Sequence, residues 1–145
     1  MVFATGSTQV GERGVWGGGY THPGSPSTVD VIDYVTISNT GNATDFGDRD
    51  GGSARGYGAL SNGINGRGLF GGDRPNGNII EYININTPSN TVDFGDLSIA
   101  REHGSGLSNG TDDRGIFGGG SGPAYSRQIE YVTISTLGNA AHFGT

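Results

Sequence analysis

Three arginines and three carboxylates recur at matched places along the chain: Arg13, Arg67 and Arg114, with Asp33, Glu81 and Glu130. A guanidinium fork suits a carboxylate through two parallel hydrogen bonds. Such a set makes either rings of ligand contacts or repeated structural links. Fixed placement favours the structural role, an ion pair inside each unit or a bond to backbone. The runs Gly17-Gly18-Gly19 and Gly118-Gly119-Gly120 have the composition of phosphate cradles. A phosphate loop, however, continues into Lys-Ser/Thr and a helix, and the chain contains no lysine. The acidic turns Asp48-Arg49-Asp50-Gly51 and Thr111-Asp112-Asp113 offer the oxygen ligands calcium prefers, without the spacing of a calcium loop and its closing Glu. His22, His103 and His142 are too dispersed for a metal triad. No nucleophile and base recur together. The expectation is a chain with no catalytic residues, no metal and no cofactor, and not an enzyme.

The elements that carry these residues are internal repeats. Arg13-Gly14-Val15-Trp16-Gly17-Gly18 returns as Arg67-Gly68-Leu69-Phe70-Gly71-Gly72 and as Arg114-Gly115-Ile116-Phe117-Gly118-Gly119. Tyr34, Tyr82 and Tyr131 follow at intervals of 48 and 49 residues, each inside an Ile-acid-Tyr run. Phe46, Phe94 and Phe143 mark the close of each copy. The single repeat domain 1–145 divides into units 1–48, 49–96 and 97–145.

Each unit reads as four short strands. The Ile-acid-Tyr run is rich in β-branched and aromatic residues, and Gly, Asn, Pro, Ser and Asp separate the strands. Helix is disfavoured, since frequent glycine would cost about 1 kcal/mol each in a helix interior. Along the third strand, Ile32, Tyr34 and Thr36 alternate with Asp33, Val35 and Ile37, so both faces carry bulk. A repeated four-stranded sheet buried on both faces is the geometry of a propeller blade.

Composition narrows the class further. The chain has 145 residues, 30 of them Gly, no Cys, and a formal charge of −6. The glycines cluster instead of repeating every third residue, which excludes collagen. Absence of Cys excludes disulfides and thiol chemistry. An acidic, lysine-free chain is a poor nucleic-acid ligand. No apolar run reaches the roughly 20 residues that insert into a membrane, and MVFATGSTQV shows no secretory signal.

These motifs resemble kelch repeats, in which a leading Arg, a Gly-Gly, a spaced Tyr and a fourth-strand aromatic define the unit. Here they are Arg101, Gly118-Gly119, Tyr131 and Phe143 in the last copy, and Arg55, Gly71-Gly72, Tyr82 and Phe94 in the second. The first has Gly17-Gly18, Tyr34 and Phe46 without the Arg. The wording is also similar to kelch-like repeat proteins of marine tailed phages. The resemblance implies an all-β propeller of four-stranded blades used mostly for binding. The family's copper-radical enzymes, of galactose oxidase type, rely on a Cys–Tyr pair that a chain without Cys cannot form.

Three blades fall short of the roughly four to eight that close a ring. The expected completion is a homodimer with six blades; the alternative is a piece of a longer multi-blade protein. Ligand contacts are expected where the repeat is broken, in the loops between the second and third strands. Those loops carry Tyr20 and His22, then Arg74 and Asn76, then Tyr125. The expected function is recognition or adhesion toward a glycan or protein on a virion or cell surface. The alternative is a purely structural, self-assembling module.

Overall fold

The computed structural model describes residues 12–21, 27–51, 55–63, 66–73, 77–122 and 127–145. All regular structure among them is β. The strands are β1 (Arg13–Thr21), β2 (Ser27–Thr36), β3 (Thr44–Asp48), β4 (Gly58–Ser61), β5 (Arg67–Asp73) and β6 (Gly77–Asn84), then β7 (Val92–Asp96), β8 (Ser105–Leu107), β9 (Arg114–Gly118), β10 (Ile129–Thr133) and β11 (Ala141–Gly144). They form three antiparallel meanders: β1-β2-β3, β4-β5-β6-β7 and β8-β9-β10-β11. The all-β expectation therefore holds, and the chain alone does not form a closed ring of sheets. The first sheet has three strands among the described residues; the segment matching β4 and β8 falls within 1–11, outside them.

Local chemistry is repeated from sheet to sheet. After each third strand a tight turn closes, with Asn39, Thr87 and Thr136 donating to Thr36, Asn84 and Thr133. Opposite β2, β6 and β10, one residue of the last strand is left out of register: Phe46, Phe94 and Phe143. Such bulges bend a strand and re-aim a side chain. Each phenylalanine meets its own sheet's tyrosine edge-on: Tyr34–Phe46, Tyr82–Phe94 and Tyr131–Phe143, with centroids 5.9, 6.1 and 6.2 Å apart. On the same tyrosines lie Arg13, Arg67 and Arg114, each 4.6 or 4.7 Å from the ring centre. The result is an Arg–Tyr–Phe stack in every sheet.

The core lies between sheets, in two matched clusters. Val15, Ile32 and Phe46 of the first sheet pack with Phe70, Ile83 and Ile85 of the second. Leu69, Ile80 and Phe94 of the second pack with Phe117, Val132 and Ile134 of the third. The alternation on the third strand explains this. Ile32 and Ile80 face the following sheet, while Ile83, Ile85, Val132 and Ile134 face the preceding one, so each sheet is apolar on both sides.

Polar contacts seal the same boundaries. Arg13 donates to the Ile85 carbonyl at 3.0 Å, and Arg67 to the Ile134 carbonyl at 2.9 Å. The Asp48 and Asp96 amides donate to Asn90 and Asn139 side chains, both at 3.0 Å. Close approach there requires glycine. A Cβ on Gly47 would lie 2.5 Å from the Ser89 carbonyl oxygen, and one on Gly95 2.5 Å from that of Gly138. Both also have φ of 146°, a backbone region that side chains disfavour.

Candidate functional site

The recurring arginines and recurring acids do not pair with each other. Arg13, Arg67 and Arg114 stack on tyrosines, and the first two hydrogen-bond to backbone in the next sheet. Glu81 and Glu130 instead take arginines arriving from the preceding sheet. Arg49 pairs with Glu81, and Arg101 with Glu130, all four side chains being buried. Glu81 also accepts from the Gly51 amide at 2.7 Å and the Thr91 hydroxyl at 2.9 Å. Glu130 accepts from the Ser98 amide at 2.7 Å. Buried carboxylates of this kind are tolerated because their oxygens are satisfied. Asp33, at the same place in the first sheet, is half-buried with no arginine against it among the described residues.

Arg49 takes the position that Arg101 holds one unit later, and this frees Arg55. The kelch-like pattern gives Arg55 and Arg101 the same role. Arg49 instead lies over the rings of Tyr57 and Phe70, at 4.7 and 5.9 Å from their centres. Its Nη1 has no hydrogen-bond partner among the described residues, and the aromatic faces supply its contact. Arg55 lies 4.7 Å over the ring of Tyr20, an exposed side chain.

Freed in this way, Arg55 borders a cleft of about 540 Å³ where the three sheets converge. Trp16 and the Gly17–Gly19 backbone come from the first sheet, Arg55 and Tyr57 from the start of the second, His103 and Ser105 from the start of the third. The latter two segments are tied together, since the His103 amide donates to the Gly56 carbonyl. His103 adopts a φ of 58°, an uncommon backbone for a residue with a side chain. Burial pushes the Tyr57 hydroxyl above its usual 10.0; the Arg49 charge opposes this, and Asp73 and Glu81 add to it. The lining thus combines aromatic surface, a guanidinium, an imidazole, a hydroxyl and open backbone, with no carboxylate among the described residues.

Of the ligand contacts expected from sequence, Tyr20 stands beside this cleft through Arg55. His22, Arg74, Asn76 and Tyr125 lie outside the described residues. Trp16, Tyr57 and His103 were not anticipated as contacts. Trp16 carried a signal, being the single Trp where the other copies have Phe70 and Phe117. The second acidic turn is occupied with structure, whereas Asp48 and Asp50 of the first are exposed. Asp113 accepts from the Ser135 amide and hydroxyl, and Asp112 from Asn109 at 2.7 Å. Among the described residues no group of three or more His, Cys, Asp or Glu is placed to hold a metal ion.

Compared with known proteins, the chain matches no family model and no curated protein. Among solved structures it is similar to a fungal alcohol oxidase of the AA5 family determined in complex with copper. The TM-score is 0.56 and the identity 16%, over 90% of this chain and 27% of the oxidase. The chain thus spans about a quarter of that protein, and at this identity the likeness is one of fold. It overturns one expectation from sequence. The residues alone point to a protein that is not an enzyme, whereas this fold occurs in a copper-bound alcohol oxidase, so the fold is compatible with an enzyme.

Proposed function

We propose that the three sheets are sectors of a kelch-like β-propeller, completed by oligomerisation, whose cleft recognises a saccharide. The observation that carries this reading is the convergence of Trp16, Arg55 and His103, from three separate sheets, on one cleft. A sugar ring seated there meets polar groups of the second and third sheets beside the edge of the Trp16 indole, whose remaining surface the assembly covers. Guanidinium and imidazole groups donate to the sugar's hydroxyls or to an acidic substituent, and the glycine backbone leaves room for close approach. Concave surfaces with a few convergent polar groups are the usual form of small-ligand sites.

A glycan array followed by calorimetric titration tests this. Saturable binding that Arg55→Ala and His103→Asn each weaken roughly tenfold or more is the expected result. Asn is chosen because it tolerates the backbone of His103. Absence of saturable saccharide binding would overturn the reading and leave a self-assembling structural module.

A further inference from the structure

The two internal boundaries are built from the same parts, and those parts are present a third time without a partner among the described residues. In each boundary the earlier sheet contributes one apolar trio: Val15, Ile32 and Phe46, then Leu69, Ile80 and Phe94. The matching trio on the third sheet is Ile116, Ile129 and Phe143, none of them in the buried core. Phe143 is 50% exposed where Phe46 and Phe94 are each 2% exposed. Leu107 is 59% exposed where its counterpart Leu60 is 3%. A groove of about 200 Å³ runs along this face, lined by Leu107, Arg114, Ile116 and Phe143 among others.

The later sheet of each boundary contributes a second trio: Phe70, Ile83 and Ile85, then Phe117, Val132 and Ile134. On the first sheet that trio is Trp16, which also edges the cleft, with Val35 and Ile37. None is in the buried core among the described residues, and Ile37 is 56% exposed against 1% for Ile85 and 0% for Ile134.

The polar and steric parts are split in the same way. Arg13 and Arg67 donate to the carbonyls of Ile85 and Ile134; Arg114, exposed on its tyrosine, occupies the same place as they do. The carbonyl corresponding to theirs is that of Ile37. Gly47 and Gly95 are pressed against the Ser89 and Gly138 carbonyls, whereas the corresponding pair, Gly144 and Gly41, would each carry a Cβ with nothing within 4 Å. Beside it, Asn42 corresponds to Asn90 and Asn139, the acceptors of the boundary amides.

We propose that this face of the third sheet docks on the opposite face of the first sheet in a second copy of this chain, reproducing the internal boundary. Arg114 then donates to the partner's Ile37 carbonyl, and Gly144 seats against the partner's Gly41 turn. Two such docks, related by a two-fold axis, join six sheets. This rests on reading the sheets as propeller sectors. The occupant is a second copy because the described sheets carry both halves of an established contact on opposite outer faces.

Sedimentation equilibrium of wild type, Gly144→Val and Ile37→Glu tests the proposal. Both substitutions fall where a single chain has open space or solvent, so circular dichroism of the variants is expected to match wild type. Wild type is expected to be a dimer, and each variant to raise its dissociation constant roughly tenfold or more. A wild-type monomer, or a dimer indifferent to both variants, would overturn the dock. Open chains of growing mass that the same variants break would uphold the dock and overturn the closed propeller.

Discussion

The guanidinium of Arg101 is paired with the carboxylate of Glu130 across the boundary between the second and third sheets, both side chains buried. Arg101 also donates to the Gln128 carbonyl at 3.0 Å and that of Gly119 at 3.3 Å. Arg49 and Glu81 repeat the pairing one boundary earlier. Each pair fastens the segment leaving one sheet to the middle of the next.

Removing one partner leaves the other as an uncompensated buried charge, at a cost of about 3–5 kcal/mol. Glu130→Ala and Arg101→Ala are each expected to destabilise by that amount in urea unfolding. The double variant Arg101→Met/Glu130→Leu is expected to lose less than either single change. A loss in the double variant equal to the sum of the singles would refute the pairing as the cause.

Arg67 has a lighter role: it stacks on Tyr82 and makes one bond to the Ile134 carbonyl. A half-buried cation–π contact and one hydrogen bond together contribute about 1–3 kcal/mol. Arg67→Ala is expected to lower thermal stability by that amount. Unchanged thermal stability would contradict it.

Gly95 combines a φ of 146° with close approach to the Gly138 carbonyl. Overpacking and backbone strain each cost about 1–3 kcal/mol, so Gly95→Ala is expected to lose about 2–4 kcal/mol. Gly41→Ala, in open space, is the control and is expected to stay within about 0.5 kcal/mol of wild type. Equal effects at the two positions in denaturant titrations would contradict the boundary packing.

Tyr57 gives the fold a pH dependence. Its hydroxyl is raised from 10.0, chiefly by burial, so the folded chain holds that proton at a pH where the unfolded chain has released it. Its contribution is fully present below pH 10 and is lost as pH rises through the higher folded value. Tyr57→Phe is expected to flatten the fall in melting temperature above about pH 10. An alkaline limb of unchanged slope in the variant would remove Tyr57 as its source.

The repeat made the β class and the two-sided sheets readable from the residues alone. Alternation of Ile32 and Tyr34 with Asp33, Val35 and Ile37 already placed bulk on both faces, and the matched clusters use both. Partner choice was not readable, because spacing along one strand does not reveal which neighbouring sheet supplies the opposing charge. Arg49 rather than Arg55 meets Glu81, since the longer exit from the first unit brings a different arginine to the same carboxylate. The cleft is not legible in the sequence for a related reason. Its side chains are far apart in sequence, and of them Trp16 alone stands out locally, as a tryptophan where the other copies have phenylalanine.

A crystal structure of the protein in its solution assembly tests the proposed ring most directly. It is expected to contain six sheets from two chains, with Arg114 on the carbonyl of Ile37 across each of two equivalent contacts. Third sheets packed against each other, or both terminal faces left in solvent, would contradict it.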